Sequence, residues 1–121
     1  MRAGVSTLSR TIHEYDEKEH NRMAETIDDI TINWEDEEGR LLVKELKKEV
    51  LTKGSWSTII FLYQEMDKRT NEYKPPKIRV GRYQKRGGRY SLQSKFNISS
   101  AKQAKQLVDV LEVWLPDMDQ V

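Results

Sequence analysis

The sequence predicts an α+β fold: a four-stranded antiparallel meander followed by one C-terminal helix, with a polar N-terminal segment in front. Three observations predict it. Residues 56–66 are apolar on both faces of an extended pattern, which is typical of a central strand. A Gly87-Gly88 pair joins two alternating segments and predicts a hairpin. Residues 101–115 carry apolar side chains at helical spacing. The 121 residues suffice for one domain with a modest core.

Composition narrows the class of protein. Of the residues, 36% are hydrophobic and 34% are charged, a polar balance for a compact domain. The absence of cysteine excludes disulfides, thiolate zinc sites and cysteine nucleophiles, and fits a reducing compartment. No apolar run approaches the roughly 20 residues of a membrane span, and the first ten residues lack the apolar core of a secretory signal. We therefore expect a cytoplasmic protein without a membrane partner.

The N-terminal third divides into an arm and the start of the domain. Residues 1–25 are polar and lack an apolar stripe, which predicts an arm that precedes a single domain over residues 26–121. Within residues 26–34, Ile30, Ile32 and Trp34 alternate with polar residues, which predicts an extra strand. An acidic turn then ends that strand.

The first hairpin joins two predicted strands. Residues 40–53 fit two alternatives: a helix with four apolar residues on one side, or a half-solvated strand in which apolar and charged residues alternate. The short turn around Gly54 favours the strand, because it leads directly into the strand predicted over Trp56–Met66. In that second strand, Ile60 and Leu62 share one face, and Ile59, Phe61 and Tyr63 share the other.

The second hairpin and the helix follow a break. Pro75-Pro76 excludes a helix and forces an extended conformation. Strands are predicted over Lys77–Arg86 and Arg89–Ile98, with glycines at the turn that tolerate positive φ. Ser99-Ser100 offers a hydroxyl cap for a helix over Ala101–Leu115, and Pro116 is expected to end it.

Charge is sorted along the chain. The first 54 residues hold 9 basic and 13 acidic residues, a net of −4, and the remaining residues hold 12 and 7, a net of +5. The stretch from Lys74 to Lys105 holds ten basic residues and no acidic one, interleaved with aromatic residues. A near-neutral protein that gathers its cations in one segment is expected to bind an anionic partner, and nucleic acid is the first candidate.

Strand alternation assigns these residues to two faces. Since neighbouring strands align their side chains, each strand of the second hairpin offers one apolar face and one basic face. We expect the helix to pack on the apolar face and the basic face to stay open. Arg82 falls on the apolar side, which places it at the sheet edge, at a dimer contact or at a register slip. The predicted apolar face holds Ile78, Val80, Tyr90, Leu92, Phe96 and Ile98; the predicted open face holds Lys77, Arg79, Tyr83, Lys85, Arg89, Gln93 and Lys95.

The open basic face predicts a site for single-stranded nucleic acid. Lys and Arg neutralise phosphates, and exposed aromatic rings stack on bases. A duplex reader would more often present a basic helix, whereas this helix has only Lys102 and Lys105. DNA is the expected ligand, and RNA is chemically possible. The candidate binding residues are Trp56, Lys74, Lys77, Arg79, Arg82, Tyr83, Lys85, Arg86, Arg89 and Lys95.

Three segments, residues 54–67, 75–99 and 103–114, resemble the single-stranded-DNA-binding fold of the positive-cofactor-four coactivators and the plant Whirly proteins. The likeness rests on four antiparallel strands, a basic sheet face and a helix that ends in an aromatic residue. It is greatest to the small bacterial and phage members of that fold. The resemblance implies a sequence-tolerant homodimer that binds single-stranded DNA, associates with the nucleoid and serves as a transcription or replication cofactor. The chain lacks the lysine-glycine-lysine-alanine stretch of Whirly proteins and adds an acidic front segment.

The residues indicate a binding protein rather than an enzyme. His13 and His20 are seven residues apart, unlike the pair of a zinc HExxH motif. No glycine-rich loop precedes a helix, and no nucleophile with a base partner is evident. We therefore expect no catalytic residue, metal, cofactor or small-molecule substrate. The alternative function is a protein-interaction module whose basic sheet face binds an acidic partner or the chain's own acidic arm.

Overall fold

A computed structural model of the protein describes residues 24–119. It is an α+β fold, as predicted, in which a curled antiparallel sheet precedes one helix. The sheet order is β1-β2-β3-β5-β6, and β4 pairs with β3. The elements are β1 (Trp34–Glu35), β2 (Leu41–Thr52), β3 (Trp56–Asp67), β4 (Glu72–Tyr73), β5 (Lys77–Arg86), β6 (Arg89–Ile98) and α1 (Ala101–Met118).

The predicted meander corresponds to the four long strands, but the count of four strands is wrong. Two tight turns add two short strands. The turn closed by Gly39 N–H donating to Asp36 O returns β1 onto β2. The turn in which Asn71, at φ 62°, donates to Asp67 O returns β4 onto β3. Residues 40–53 form a strand rather than a helix, which confirms that prediction.

A strap, residues 24–35, crosses one face of the sheet. Ala24 O accepts a hydrogen bond from Tyr90 N–H on β6 at 2.7 Å, and Trp34 pairs with Val43 on β2 at the other side. Between these points Ile30 and Ile32 are buried against the sheet. Of the extra strand predicted over residues 26–34, only Trp34 lies in a strand, at the start of β1. Ile27–Asp29 form a 3-10 turn, and the segment before Trp34 lies across the strands. Of the predicted arm, residues 1–23 lie outside the described part of the chain.

The strap defines a covered face and an outer face. The covered face carries the main core, in which Ile59, Phe61 and Tyr63 of β3 are almost fully buried. Tyr83 and Tyr90 complete it from β5 and β6. The partition of β3 into two faces is as predicted. The face predicted to be open is the one that the strap covers.

A β-bulge in β6 changes the predicted pairing of faces. Tyr83 pairs with Leu92, whereas Arg82 pairs with Ser94, so Gln93 is an extra residue in the ladder. A bulge reverses the alternation beyond it. Tyr90 and Leu92 consequently lie on the covered face. Phe96 and Ile98 lie on the outer face, so the prediction of one continuous apolar face is wrong.

The helix begins at Ala101, as predicted, but extends beyond its predicted end. Ser100 Oγ accepts from Gln103 N–H at 3.1 Å, and Gln103 Oε1 accepts from Ser99 N–H at 2.9 Å, which confirms the predicted hydroxyl cap. Pro116 lies inside the last turn and does not end the helix, which continues to Met118, so that prediction is wrong. The φ that the proline ring fixes is a helical one, and the loss is confined to one N–H donor. No residue of α1 is buried, so the prediction that it packs on its own sheet is wrong.

Lys48 fastens the strap to β2. Its Nζ donates to Ile27 O and Ile30 O at 2.7 Å each, and to Asp28 O at 3.3 Å. We expect Lys48→Met to lower the free energy of unfolding by about 2 kcal/mol, because charged hydrogen bonds to three carbonyls are lost. Urea denaturation followed by tryptophan fluorescence measures this. The neighbouring Lys47 is exposed, and Lys47→Met should cost less than about 0.5 kcal/mol. Equal losses in both variants would contradict the role of Lys48.

Candidate nucleic-acid interface

The two long hairpins turn at the same end of the sheet. Tyr90 Oη donates to Gly54 O at 3.0 Å, and Lys85 N–H donates to Ser55 O at 2.7 Å, which joins the turns of the two hairpins. Trp56, at the start of β3, pairs with Gln84, near the end of β5. This arrangement gathers a set of basic and aromatic side chains that we call the basic end: Lys53, Trp56, Arg82, Lys85, Arg86 and Arg89.

The cations of the basic end have no anionic partner within the described residues. Lys53, Arg86 and Arg89 are exposed and form no ion pair with any residue of 24–119. Residues 50–64 and 74–108 contain no Asp or Glu. Arg86 and Arg89 lie directly opposite each other across the hairpin. A like-charge pair of this kind is unfavourable unless an anion lies between the two groups.

An aromatic side chain lies beside Arg82 on the outer face, whereas Lys85 lies over the Tyr90 ring on the covered face, 5.5 Å from its centre. Trp56 is 44% exposed, and the Arg82 guanidinium lies 4.9 Å from the centre of its ring. The stack holds the indole in place without covering it. Next to it, Gln84 Oε1 is buried and has no hydrogen-bond partner among the described residues. The basic end therefore offers an oriented ring as well as charge.

The opposite end of the sheet has the reverse character. Arg40 Nε pairs with Asp36 Oδ2 at 2.8 Å, and Arg40 also donates to Asn71 Oδ1 at 3.0 Å. Arg69 lies 3.5 Å from Asp67. Arg40 and Arg69 are thus neutralised by the acidic turn and loop that flank them. The charge separation seen along the sequence becomes a separation between the two ends of one sheet.

Several predicted binding residues have structural roles instead. Arg79 is 3% exposed on the covered face, where its Nε donates to Asn97 Oδ1 at 3.0 Å and its guanidinium lies 5.5 Å from the Tyr63 ring. Burial raises the pKa of the Tyr63 phenol, which stays protonated. Tyr83 is 5% exposed. The prediction that Arg79 and Tyr83 lie on an open face is wrong, because strap residues cover that side of β5.

The remaining predicted residues are accessible but lie apart from the basic end. The Nζ of Lys77 contacts Glu65 Oε1 at 2.9 Å, and this hydrogen bond raises the pKa of Lys77. Lys74 is exposed where the chain returns to β5. Lys95 is exposed and pairs with Gly81 in the middle of the sheet. The structure therefore brings together five of the ten predicted residues: Trp56, Arg82, Lys85, Arg86 and Arg89.

Lys53 joins the site although the sequence did not indicate it. It lies at the turn between β2 and β3, 21 residues before the basic stretch begins. Only the pairing of β3 with β5 brings that turn beside the second hairpin. In the sequence, the only feature that distinguishes Lys53 is its position next to Gly54 of the hairpin turn. That feature by itself does not indicate binding.

Comparison with protein-family models, with curated proteins and with solved structures finds no match to this chain. The resemblance to the single-stranded-DNA-binding fold therefore stays a prediction. Within residues 24–119, no helix combines the length and the apolar character that crossing a membrane requires. The same residues contain no group of three or more His, Asp or Glu side chains placed to hold a metal ion. His13 and His20 lie outside the described residues.

Proposed function

We propose that the protein binds single-stranded nucleic acid, DNA in the first instance, through the basic end of its sheet. The observation that carries this proposal is the opposed pair Arg86 and Arg89, which have no acidic partner among residues 24–119 and lie at the same end of the sheet as an exposed tryptophan. A bridging phosphate relieves the repulsion between two such arginines. Contacts to the backbone and to a ring are sequence-tolerant, since every nucleotide carries a phosphate and a π face.

The shape of the site favours an unpaired strand. In a duplex the base faces are stacked on one another and cannot reach the indole of Trp56. A helix that enters the major groove would need basic residues along it. In α1 the two lysines are Lys102 and Lys105, and Lys105 is paired with Asp109 at 2.6 Å. Hairpin cations around an exposed ring suit a flexible chain better than a rigid double helix.

The binding test compares single-stranded and duplex DNA of one length. We expect fluorescence anisotropy with labelled oligo-dT to show tighter binding than with the duplex, and a logarithmic affinity that falls linearly with the logarithm of salt concentration. Trp56→Ala should weaken oligo-dT binding by about tenfold, which corresponds to one lost stacking contact. Tighter binding to the duplex would contradict the single-strand proposal.

The same assay separates this function from the alternative, a module that binds an acidic protein. Polyglutamate has the charge of an acidic partner but offers no base to stack on. We expect it to displace labelled oligo-dT only at a large excess, with similar effect on the wild type and on Trp56→Ala. Polyglutamate binding tighter than oligo-dT binding, together with unchanged oligo-dT affinity in Trp56→Ala, would favour the protein-interaction module. Oligo-ribouridine in a parallel titration distinguishes RNA from DNA.

A further inference from the structure

The C-terminal helix presents an apolar stripe that residues 24–119 do not cover. All of its large apolar side chains are exposed, from 37% for Leu107 to 71% for Val113. The stripe runs along one side at helical spacing, and the charged residues occupy the other side. Large contiguous apolar patches are unusual on monomeric soluble proteins. The residues of the stripe are Ala104, Leu107, Val108, Leu111, Trp114, Leu115 and Met118.

The outer face of the sheet presents a second apolar surface. The strand register places Ile60, Val80 and Phe96 in one row across β3, β5 and β6. Leu62, Ile78 and Ile98 form the next row. Phe96 is 58% exposed, the side chains of Ile60, Leu62, Ile78 and Val80 are half-buried, and Ile98 at the end of β6 is already buried, at 6% exposed. The strap lies on the other side of the sheet, so it does not cover these rows.

We propose that the protein is a homodimer in which α1 of each copy packs on the outer face of its partner's sheet. Each chain carries both apolar surfaces, the stripe on the helix and the outer face of the sheet. In a dimer with twofold symmetry, the helix of each copy covers the sheet of the other, so the same contact occurs twice and covers both surfaces. An 18-residue helix is about 27 Å long and about 10 Å wide. Two such contacts would bury on the order of 1,000 Å², counting both sides, which reaches the lower limit for a specific interface.

The start of the helix explains why exchange is favoured over packing on the chain's own sheet. Only Ser99 and Ser100 separate β6 from α1. The reciprocal hydrogen bonds of these serines with Gln103 fix the direction in which the helix leaves the sheet. With that direction fixed, the stripe is available to a neighbouring molecule. This inference does not depend on nucleic-acid binding.

The test measures the mass of the full chain in solution. We expect sedimentation equilibrium to give twice the 14.3-kDa chain mass. Leu111→Glu and Phe96→Glu each place a charge in the proposed contact, one on the helix and one on the sheet, and each should raise the dimer dissociation constant at least 100-fold. Both residues are exposed in the single chain, so circular dichroism should show that both variants stay folded. Lys102→Glu, on the polar side of the helix, should leave the dimer intact.

Cross-linking tests which surfaces meet. The chain has no cysteine, so Leu111→Cys and Phe96→Cys each introduce a single thiol. Mixing the two variants with a short bis-maleimide should give a linked pair that contains one copy of each. A monomeric wild type would overturn the proposal, and so would a dimer that Leu111→Glu breaks but Phe96→Glu does not, since helices would then pair with each other. A monomer that still binds oligo-dT would overturn the dimer and leave the proposed function standing.

Discussion

Reversing the charge of Arg86 and Arg89 together is expected to weaken binding to oligo-dT by about 100-fold at low salt, because each arginine contributes one charged contact to a phosphate. The slope of logarithmic affinity against logarithmic salt concentration should become shallower by about 2. Fluorescence anisotropy titrations at several salt concentrations measure both. The double variant Arg86→Glu, Arg89→Glu keeps a like-charge pair at the hairpin. The repulsion between the two side chains is therefore unchanged, and so is the expected melting temperature.

A matched control lies at the opposite end of the sheet. Lys68 and Arg69 are exposed in the loop between β3 and β4. Lys68→Glu with Arg69→Glu produces the same net charge as the first double variant, so a general electrostatic effect would appear equally in both. We expect the control to bind oligo-dT within about threefold of the wild type, because long-range effects are screened at distances beyond the Debye length. Equal losses in the two variants would contradict a localised site at the basic end.

Substituting Arg79 by alanine is expected to destabilise the fold by about 3 kcal/mol, which for a domain of this size lowers the melting temperature by roughly 10–20 °C. Its guanidinium is 3% exposed, donates to Asn97 and lies against the Tyr63 ring. Removal of the side chain leaves buried polar groups unsatisfied and opens a cavity. Thermal unfolding followed by circular dichroism measures the loss.

Arg82 provides the internal comparison, since it lies three residues further along the same strand and on the other face. It is exposed and contacts the Trp56 ring. Arg82→Ala should cost less than about 1 kcal/mol in stability, because an exposed cation–π contact contributes little more. It should instead weaken oligo-dT binding. If Arg79→Ala proves as stable as Arg82→Ala and loses nucleic-acid affinity, Arg79 would belong to the binding surface after all.

The predictions for Arg86 with Arg89 and for Arg79 with Arg82 distinguish basic residues that stabilise the sheet from basic residues that are available to a ligand. Arg79 and Lys77 are held by Asn97 and Glu65 within the sheet. Arg86 and Arg89 lie at a turn with no acidic neighbour within the described residues. The basic stretch of the sequence thus contains side chains that stabilise the sheet and side chains that are available to a ligand. Their spacing along the chain does not separate the two groups.

The sequence by itself determined the local elements and the charge segregation. The alternation of Ile59, Phe61 and Tyr63 against Ile60 and Leu62 is a property of adjacent residues, and so are the Gly87-Gly88 turn and the spacing of the helix. These features depend on backbone geometry within a few residues, and the structure has all of them. The run of ten basic residues without an acidic one between Lys74 and Lys105 was equally visible.

Only the tertiary structure decided which face is covered and where the free cations meet. The strap crosses the sheet from Tyr90 to Val43, and its isoleucines bury the face that strand alternation had marked as open. The bulge at Gln93 exchanges the faces within β6, and no pattern in β6 itself indicates one extra residue. Lys53 comes to the site through the pairing of β3 with β5. Each of these features depends on contacts between residues far apart in the chain. The free energies of such contacts cannot be predicted from the pattern of neighbouring residues.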